Sequence, residues 1–234
     1  MRNYIILFIY LICFSATAKI DYQLSYLSSS TSYNYFSLPN NNEQNRFDIK
    51  DTTSVTNYRL FIEKYFSDWS LTLLYAPLTI NYSQLSDKNF SFNETNFSAG
   101  LDTTIKYKFN SYRLGYRKNF FAGKNRFYWG GLLKIRDAEI CVSQQSVNNC
   151  YDNIGPVPLL NLGAEIYGDL FYSKFSIDGL FSSRGSAYDA NVETGIDFNN
   201  FSLGIGFRIL GGGADNDKLI NFAQFQSWYL GITI

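Results

Sequence analysis

The chain has 234 residues with 20 basic and 20 acidic side chains, so its formal net charge is zero, without the basic surplus typical of nucleic-acid binding. It contains no histidine, the residue that most often acts as a general acid or base near neutral pH and most often binds metal ions. Aromatic residues make up 18% of the chain, and apolar residues are spread among polar ones, which favours strands.

The first 18 residues have the pattern of a secretory signal peptide. Arg2 gives a short charged start, residues 4–14 form an apolar run, and residues 15–18 supply small side chains in an A-x-A cleavage pattern. The apolar run is too short to cross a bilayer as a helix. We therefore expect cleavage after Ala18, export, and a single domain over residues 19–234.

The remaining chain alternates between apolar and polar residues in ten segments separated by turn residues. No segment shows a convincing helical period, so we expect an all-β fold. The predicted strands cover residues 20–26, 55–66, 69–82, 104–120, 126–140, 159–167, 170–181, 188–198, 201–210 and 221–234.

The connections between these predicted strands fall into two classes. Those after the odd-numbered strands are the longer ones, near residues 29–54, 83–100, 141–155, 182–187 and 211–220, and the others are turns of two to four residues. A soluble sandwich has no reason to sort its loops in this way, whereas a transmembrane barrel has long loops outside and short periplasmic turns. We predict a single antiparallel transmembrane β-barrel of ten strands, with eight or twelve as alternatives.

The ninth predicted strand shows the alternation most clearly. One face carries Phe201, Leu203, Ile205, Phe207 and Ile209, and the other carries Ser202, Gly204, Gly206, Arg208 and Leu210. In a sandwich the apolar face would be the core, whereas in a barrel it faces lipid and the other face lines a polar lumen. Periodicity leaves both open, but the signal peptide, the loop asymmetry and the aromatic residues near the short turns favour the barrel.

Continuing the alternation places ten charged side chains in the lumen. They are five basic and five acidic residues: Arg59, Glu63, Arg113, Arg117, Arg136, Glu165, Asp178, Asp189, Glu193 and Arg208. A ten-stranded barrel has a narrow interior that side chains fill, and charges there are costly unless they are paired. We favour a salt-bridged network that plugs and braces the lumen, and a narrow polar pore lined by the same residues is the alternative.

Cys141 and Cys150 are the only cysteines after residue 18, and an oxidising compartment favours a disulfide between them. We expect no catalytic residues, no metal site and no cofactor, because the outer-membrane barrel enzymes known as families depend on a histidine. Asp189 and Glu193, four residues apart on one strand face, would lie about 13 Å apart, which is too far for a direct acid–base pair.

Five stretches resemble a poorly characterised family of bacterial outer-membrane β-barrel proteins: KIRDAEI (134–140), PLLNLGAE (158–165), RGSAYDA (184–190), FRILGGGADND (207–217) and NFAQF (221–225). The resemblance covers about the C-terminal half and implies an outer-membrane barrel, with no activity attached.

We therefore expect a monomeric, non-enzymatic protein of the cell outer membrane that is structural, surface-exposed or a narrow pore. Its expected partners are outer-membrane lipid, lipopolysaccharide and the barrel-assembly machinery, and no nucleic acid is expected. The alternative is a secreted or periplasmic soluble all-β binding module.

Overall fold

The computed structural model describes residues 19–37, 46–182, 185–198, 200–215 and 220–234, and their regular structure is β-strand throughout. The predicted signal peptide lies outside these residues. The strands are β1 Ile20–Ser37, β2 Phe47–Asp48, β3 Ser54–Tyr65, β4 Trp69–Ala76, β5 Thr79–Leu85, β6 Phe90–Phe92, β7 Thr95–Phe97, β8 Asp102–Ala122, β9 Asn125–Gln144, β10 Val147–Tyr167, β11 Phe171–Ser182, β12 Gly185–Asp197, β13 Ser202–Asp215 and β14 Ile220–Thr233. No helix in the described part of the chain is long and apolar enough to cross a bilayer.

The strands close into a barrel because β14 pairs with β1, and each wall strand pairs antiparallel with its neighbours. β4 and β5 both pair with β8 and together form one interrupted strand. β2 adds to the end of β1, and β6 and β7 form a separate hairpin. The closed wall therefore has ten strands, which confirms the predicted all-β fold and strand number.

The two ends of the barrel differ. Short connections near residues 67, 123, 169 and 200 join strands at one end, which we call the turn end. The other connections, which include the long segments between β1 and β3 and between β5 and β8, meet at the opposite end, which we call the loop end. The predicted sorting of connections by length holds only in part, because the connections from β1 to β3 and from β5 to β8 are long but that between β9 and β10 has two residues.

The outer wall is apolar where the strands alternate most regularly. Trp228 and Leu230 of β14 are 63% and 65% exposed, while Ser227 and Tyr229, which alternate with them, are buried in the lumen. At the turn end, aromatic side chains such as Phe66 stack against one another on the outside. An apolar belt with an aromatic rim is the surface that a barrel presents to lipid.

The predicted loop at residues 141–155 is wrong. β9 continues to Gln144 and β10 begins at Val147, so the two strands form a long ribbon that turns at Gln145, which has a positive φ of 48°. The ribbon extends beyond the apolar belt, so its outward residues, such as Glu139 and Asp152, are polar. Because the two faces of the ribbon no longer differ clearly in polarity, the alternation of apolar and polar residues that marks a strand is lost there.

The polar stretch 83–100 also contains strand. β6 and β7 are joined by a two-residue turn at Asn93 and Glu94, whose φ angles are 45° and 68°. Positive φ at both central residues is typical of the tight hairpin turn that suits the twist of paired strands. The hairpin brings apolar side chains over the loop end of the barrel.

Candidate functional site: the filled lumen

Four charged side chains near the turn end form what we call the turn-end cluster: Glu63, Arg117, Arg126 and Glu165. The Glu63 carboxylate accepts hydrogen bonds from Arg117 Nη1 at 2.9 Å and from Arg126 Nη1 and Nη2 at 2.8 and 3.0 Å. Arg126 Nε also donates to Glu165 Oε2 at 3.2 Å. All four side chains are buried, so each charge depends on its partners for the solvation it has lost.

A second group, the mid-lumen cluster, comprises Arg113, Asp178, Asp189 and Arg208. Arg208 Nε and Nη2 donate to the two carboxylate oxygens of Asp189, both at 2.8 Å, in a bidentate pair. Arg113 contacts Asp189 on one side and Asp178 on the other, each at 2.5 Å. The cluster therefore ties β8, β11, β12 and β13 together across the lumen.

Glu193 is held mainly by neutral donors. Its carboxylate accepts hydrogen bonds from Gln23 Nε2 at 2.7 Å, from the Tyr172 hydroxyl at 2.8 Å and from the Tyr229 hydroxyl at 2.9 Å. A Cβ at Gly206 would lie 2.2 Å from Tyr229 Cζ, so only glycine leaves room for this ring. The small residues on the inner face of β13 thus accommodate the tyrosines that hold Glu193.

Three of the ten predicted lumen residues lie outside the ion-pair clusters: Glu193, described above, and the arginines Arg59 and Arg136. Arg59 is half-buried, with its Cζ 5.7 Å from the Phe61 ring centroid. Arg136 Nη2 donates to Asn153 Oδ1 at 2.7 Å. Neither arginine makes an ion pair with a carboxylate of the described residues. The ion-pair clusters hold seven of the ten: Glu63, Arg113, Arg117, Glu165, Asp178, Asp189 and Arg208.

Among the lumen charges that sequence reasoning missed, Arg126 and Lys134 are the most deeply buried. They are 3% and 1% exposed, and Arg126 links the two acids of the turn-end cluster. Both share the alternation of Arg136 on β9. Extending that alternation to the start of the strand would have found them.

The loop half of the lumen is apolar. Phe36, Phe47, Phe90, Phe92 and Phe97 form what we call the cap, in which the Phe92 ring lies 4.9 Å from Phe36 and the Phe47 ring 4.1 Å from Phe90. The cap packs on inward residues of the wall, including Ile80, Tyr82, Ile105, Tyr107, Ile140, Val142 and Phe225. Since these side chains are buried, they form a hydrophobic core in the loop half of the lumen.

Polar contacts fix the cap to the ribbon and to the chain beside it. Asn149 Nδ2 on β10 donates to the Asn93 carbonyl at 2.8 Å and to Thr95 Oγ1 at 2.6 Å. Lys50 forms an ion pair with Asp87 at 2.7 Å, and its hydrogen bond and positive charge lower the pKa of the Asp87 carboxyl. These contacts hold the segments that carry the cap phenylalanines over the barrel.

Cys141 and Cys150 lie opposite each other on the ribbon and form a disulfide. Their positions follow the outward alternation, next to polar residues such as Glu139. The disulfide closes the part of the ribbon that reaches beyond the pairing of β10 with β11.

Replacing both Cys141 and Cys150 with Ser is expected to loosen the ribbon and to leave the barrel closed. The bond spans nine residues, so its loss should lower the free energy of unfolding by no more than about 2–3 kcal/mol. Limited proteolysis should cut the ribbon faster, while the unheated protein still migrates as a folded barrel on a gel. Unfolding of the whole barrel in the double variant would contradict this.

Arg208→Leu is expected to lower the free energy of unfolding by about 2–4 kcal/mol, near the range for breaking a buried ion pair. Asp189 would lose its bidentate partner and keep only Arg113. Lys108→Leu is the control, since Lys108 pairs with Asp137 on the outer face and should cost less than about 1 kcal/mol. An unchanged midpoint of denaturant unfolding in Arg208→Leu would contradict the placement.

Comparison with known protein families and with curated proteins found no match for this chain. Among solved structures, the outer membrane protease OmpT from Escherichia coli is similar with a TM-score of 0.52 and 9% identity, covering 92% of this chain and 95% of OmpT. The chain has the fold of an outer-membrane β-barrel. At this identity the likeness shows the fold alone.

Two further structures match with lower scores. The toluene transporter TodX of Pseudomonas putida has a TM-score of 0.38 and 9% identity, covering 94% of this chain and 90% of TodX. Neisserial surface protein A has a TM-score of 0.33 and 12% identity, covering 93% and 97%. These scores are too low to bear on the function of this chain.

Proposed function

We propose that the protein spans the outer membrane as a barrel closed to solutes and exposes its capped loop end outside the cell. The filled lumen is the observation that carries this proposal: a hydrophobic core occupies most of the loop half, and the two ion-pair clusters cross the middle and the turn end. The cavity among the charges at the turn end has a volume of ≈ 40 Å³, about the space of one water molecule.

A closed lumen fits these contacts better than a narrow pore. An ion passing through would have to separate partners such as Glu63 and Arg126, which are 2.8 Å apart, and then enter the apolar cap. Hydrophobic constrictions exclude water and therefore ions. The charged residues thus support the wall rather than line a path.

The apolar belt supports a membrane location over a soluble binding module. Leu160 is 65% exposed on the outer wall, and Trp228 and Leu230 are exposed to a similar degree. In water, each such side chain would leave apolar area unburied at about 25 cal/mol per Å². Lipid removes this cost, so we propose outer-membrane lipid and lipopolysaccharide as the surroundings and the barrel-assembly machinery as the route of insertion.

The carboxylates of the lumen favour a structural role over an enzymatic one. Both oxygens of Asp189 are engaged by Arg208, and Glu63 accepts hydrogen bonds from two arginines. A carboxylate held in this way cannot readily gain or lose a proton, as acid–base catalysis requires. The absence of histidine from the sequence points the same way.

Cell fractionation with epitope tags tests location and orientation together. A tag inserted after Gln145, at the tip of the ribbon, should bind antibody on intact cells, and a tag after Gly123, at the turn end, should do so only after permeabilisation. The protein should fractionate with the outer membrane and migrate differently on a gel when it is not heated. A soluble periplasmic protein, or the reverse exposure of the tags, would overturn the proposal.

A further inference from the structure

The barrel wall is incomplete between β10 and β11 toward the loop end. The two strands pair only from Leu160 opposite Gly179 down to Tyr167 opposite Tyr172, and beyond Leu160 the described part of β10 pairs with β9 alone. Pro156 and Pro158 lie just past this point and have no N–H group to donate. The prolines therefore leave a side opening in the wall, bordered across from them by the end of β11.

A cavity of ≈ 260 Å³ lies behind this opening. Pro158 and Leu180 line it at the wall, and Tyr107, Phe109, Lys134 and Arg136 line it from within the lumen. None of the described residues that line it is an aspartate or glutamate. The volume corresponds to about nine water molecules, enough for a head group and the first carbons of a chain.

The two cations of this cavity lack the carboxylate partners that the arginines of the turn-end and mid-lumen clusters have. Lys134 is 1% exposed, its Nζ lies 4.5 Å from the Phe109 ring centroid, and it makes no ion pair with a described carboxylate. Arg136 donates to Asn153, but its Nε is buried with no hydrogen-bond partner among the described residues. A buried charge without a counter-charge is costly, so the cavity is suited to a bound anion.

One anionic group can reach both cations. Lys134 and Arg136 are two residues apart on the same face of β9, so their backbone positions are separated by about 7 Å. A carboxylate or phosphate between the two side chains could accept hydrogen bonds from both. This would supply the pairing that Arg113 and Arg208 obtain from Asp189.

The outer rim of the opening is strongly apolar. Ile154, Leu160 and Phe181 are 69%, 65% and 75% exposed and surround it on the outside of the wall. With the barrel in a membrane, as proposed above, Leu160 faces lipid, and Phe181 and Ile154 lie farther toward the loop end. The opening thus joins a cationic cavity to a hydrocarbon environment.

We infer that the cavity binds an amphipathic anion that carries an acyl chain. Its carboxylate or phosphate head lies between Lys134 and Arg136, and its hydrocarbon chain passes the prolines and leaves through the side opening. The path of the acyl chain rests on the membrane location proposed for the protein, whereas the site for the head group depends only on the cavity. Such a ligand would enter from the membrane and would not need an open lumen.

Equilibrium binding of radiolabelled dodecanoate to the full chain in phosphatidylcholine nanodiscs tests this inference, with empty nanodiscs as the blank. Saturable binding of one dodecanoate per chain is expected, and dodecyl phosphate should compete with it. Dodecanol, which lacks the charge, and inorganic phosphate, which lacks the chain, should each compete at least tenfold more weakly. Lys134→Met should weaken binding at least tenfold, and Lys106→Met, on the outer face of the barrel, should not change it.

The other outcomes would contradict the inference. Binding no greater than that of empty nanodiscs, or equal binding by Lys134→Met, would show that the cavity is not the binding site. Equal competition by dodecanol would show that the anionic head is not recognised, and equal competition by inorganic phosphate would show that the acyl chain is not recognised. Lys134→Met deletes a buried charge that has no described carboxylate partner, so its unfolding midpoint should not fall. Because this variant leaves the cap and both clusters intact, failure of binding is distinguishable from failure of the closed, membrane-spanning barrel, which fractionation reports separately.

Discussion

Glu63→Gln is expected to lower the free energy of unfolding by about 3–5 kcal/mol. The glutamine keeps the shape of the side chain but removes the charge that pairs with Arg117 and Arg126. Glu63 is 1% exposed, so water cannot replace the lost charge. Denaturant unfolding of the barrel in lipid vesicles would measure the effect.

Glu139→Gln is the matched control for this substitution. Glu139 pairs with Lys106 at 2.7 Å on the outer face of the ribbon, where water is available to both side chains. We expect a loss of less than about 1 kcal/mol. Equal losses in the two variants would show that the turn-end cluster adds no more than a surface pair.

Phe92→Ala is expected to lower the free energy of opening the cap by about 3–5 kcal/mol, as for other large-to-small changes in a core. Phe92 is fully buried, and its ring packs against Phe36. Hydrogen exchange of the amides of β6 and β7 should become faster, while that of β13 and β14 stays slow.

Phe181→Ala is the control for the cap. Phe181 is 75% exposed on the outer wall and does not contribute to the hydrophobic core of the loop end. Exchange in β6 and β7 should therefore be unchanged in this variant. If Phe92→Ala also left that exchange unchanged, the cap would not be held by its aromatic core.

The wall of the barrel could be predicted from the sequence because each of its strands separates lipid from lumen. Leu203 and Arg208 fall on opposite faces of β13, and two-residue alternation is enough to assign them. The same alternation gave the inward side of Glu63 and Asp189. It did not identify their partners, because pairing across the lumen depends on how the barrel closes.

The cap and the ribbon could not be predicted in this way. Phe90, Phe92 and Phe97 lie in a polar stretch with too few residues to show a period, and their burial depends on a hairpin that folds over the lumen. Along the ribbon, outward residues such as Asp152 are polar because the strands have left the apolar belt. Local pattern carries no signal where the surroundings no longer differ from one face to the other.

Single-channel recording in planar bilayers tests most directly whether the lumen is closed. The wild-type protein would be inserted from preparations that are shown to be folded by their altered migration without heating, with a known porin as the positive control for insertion. A lumen filled by the cap and by the paired charges predicts no discrete conductance steps from this protein. Reproducible steps of uniform size from the folded wild type would contradict the closed lumen.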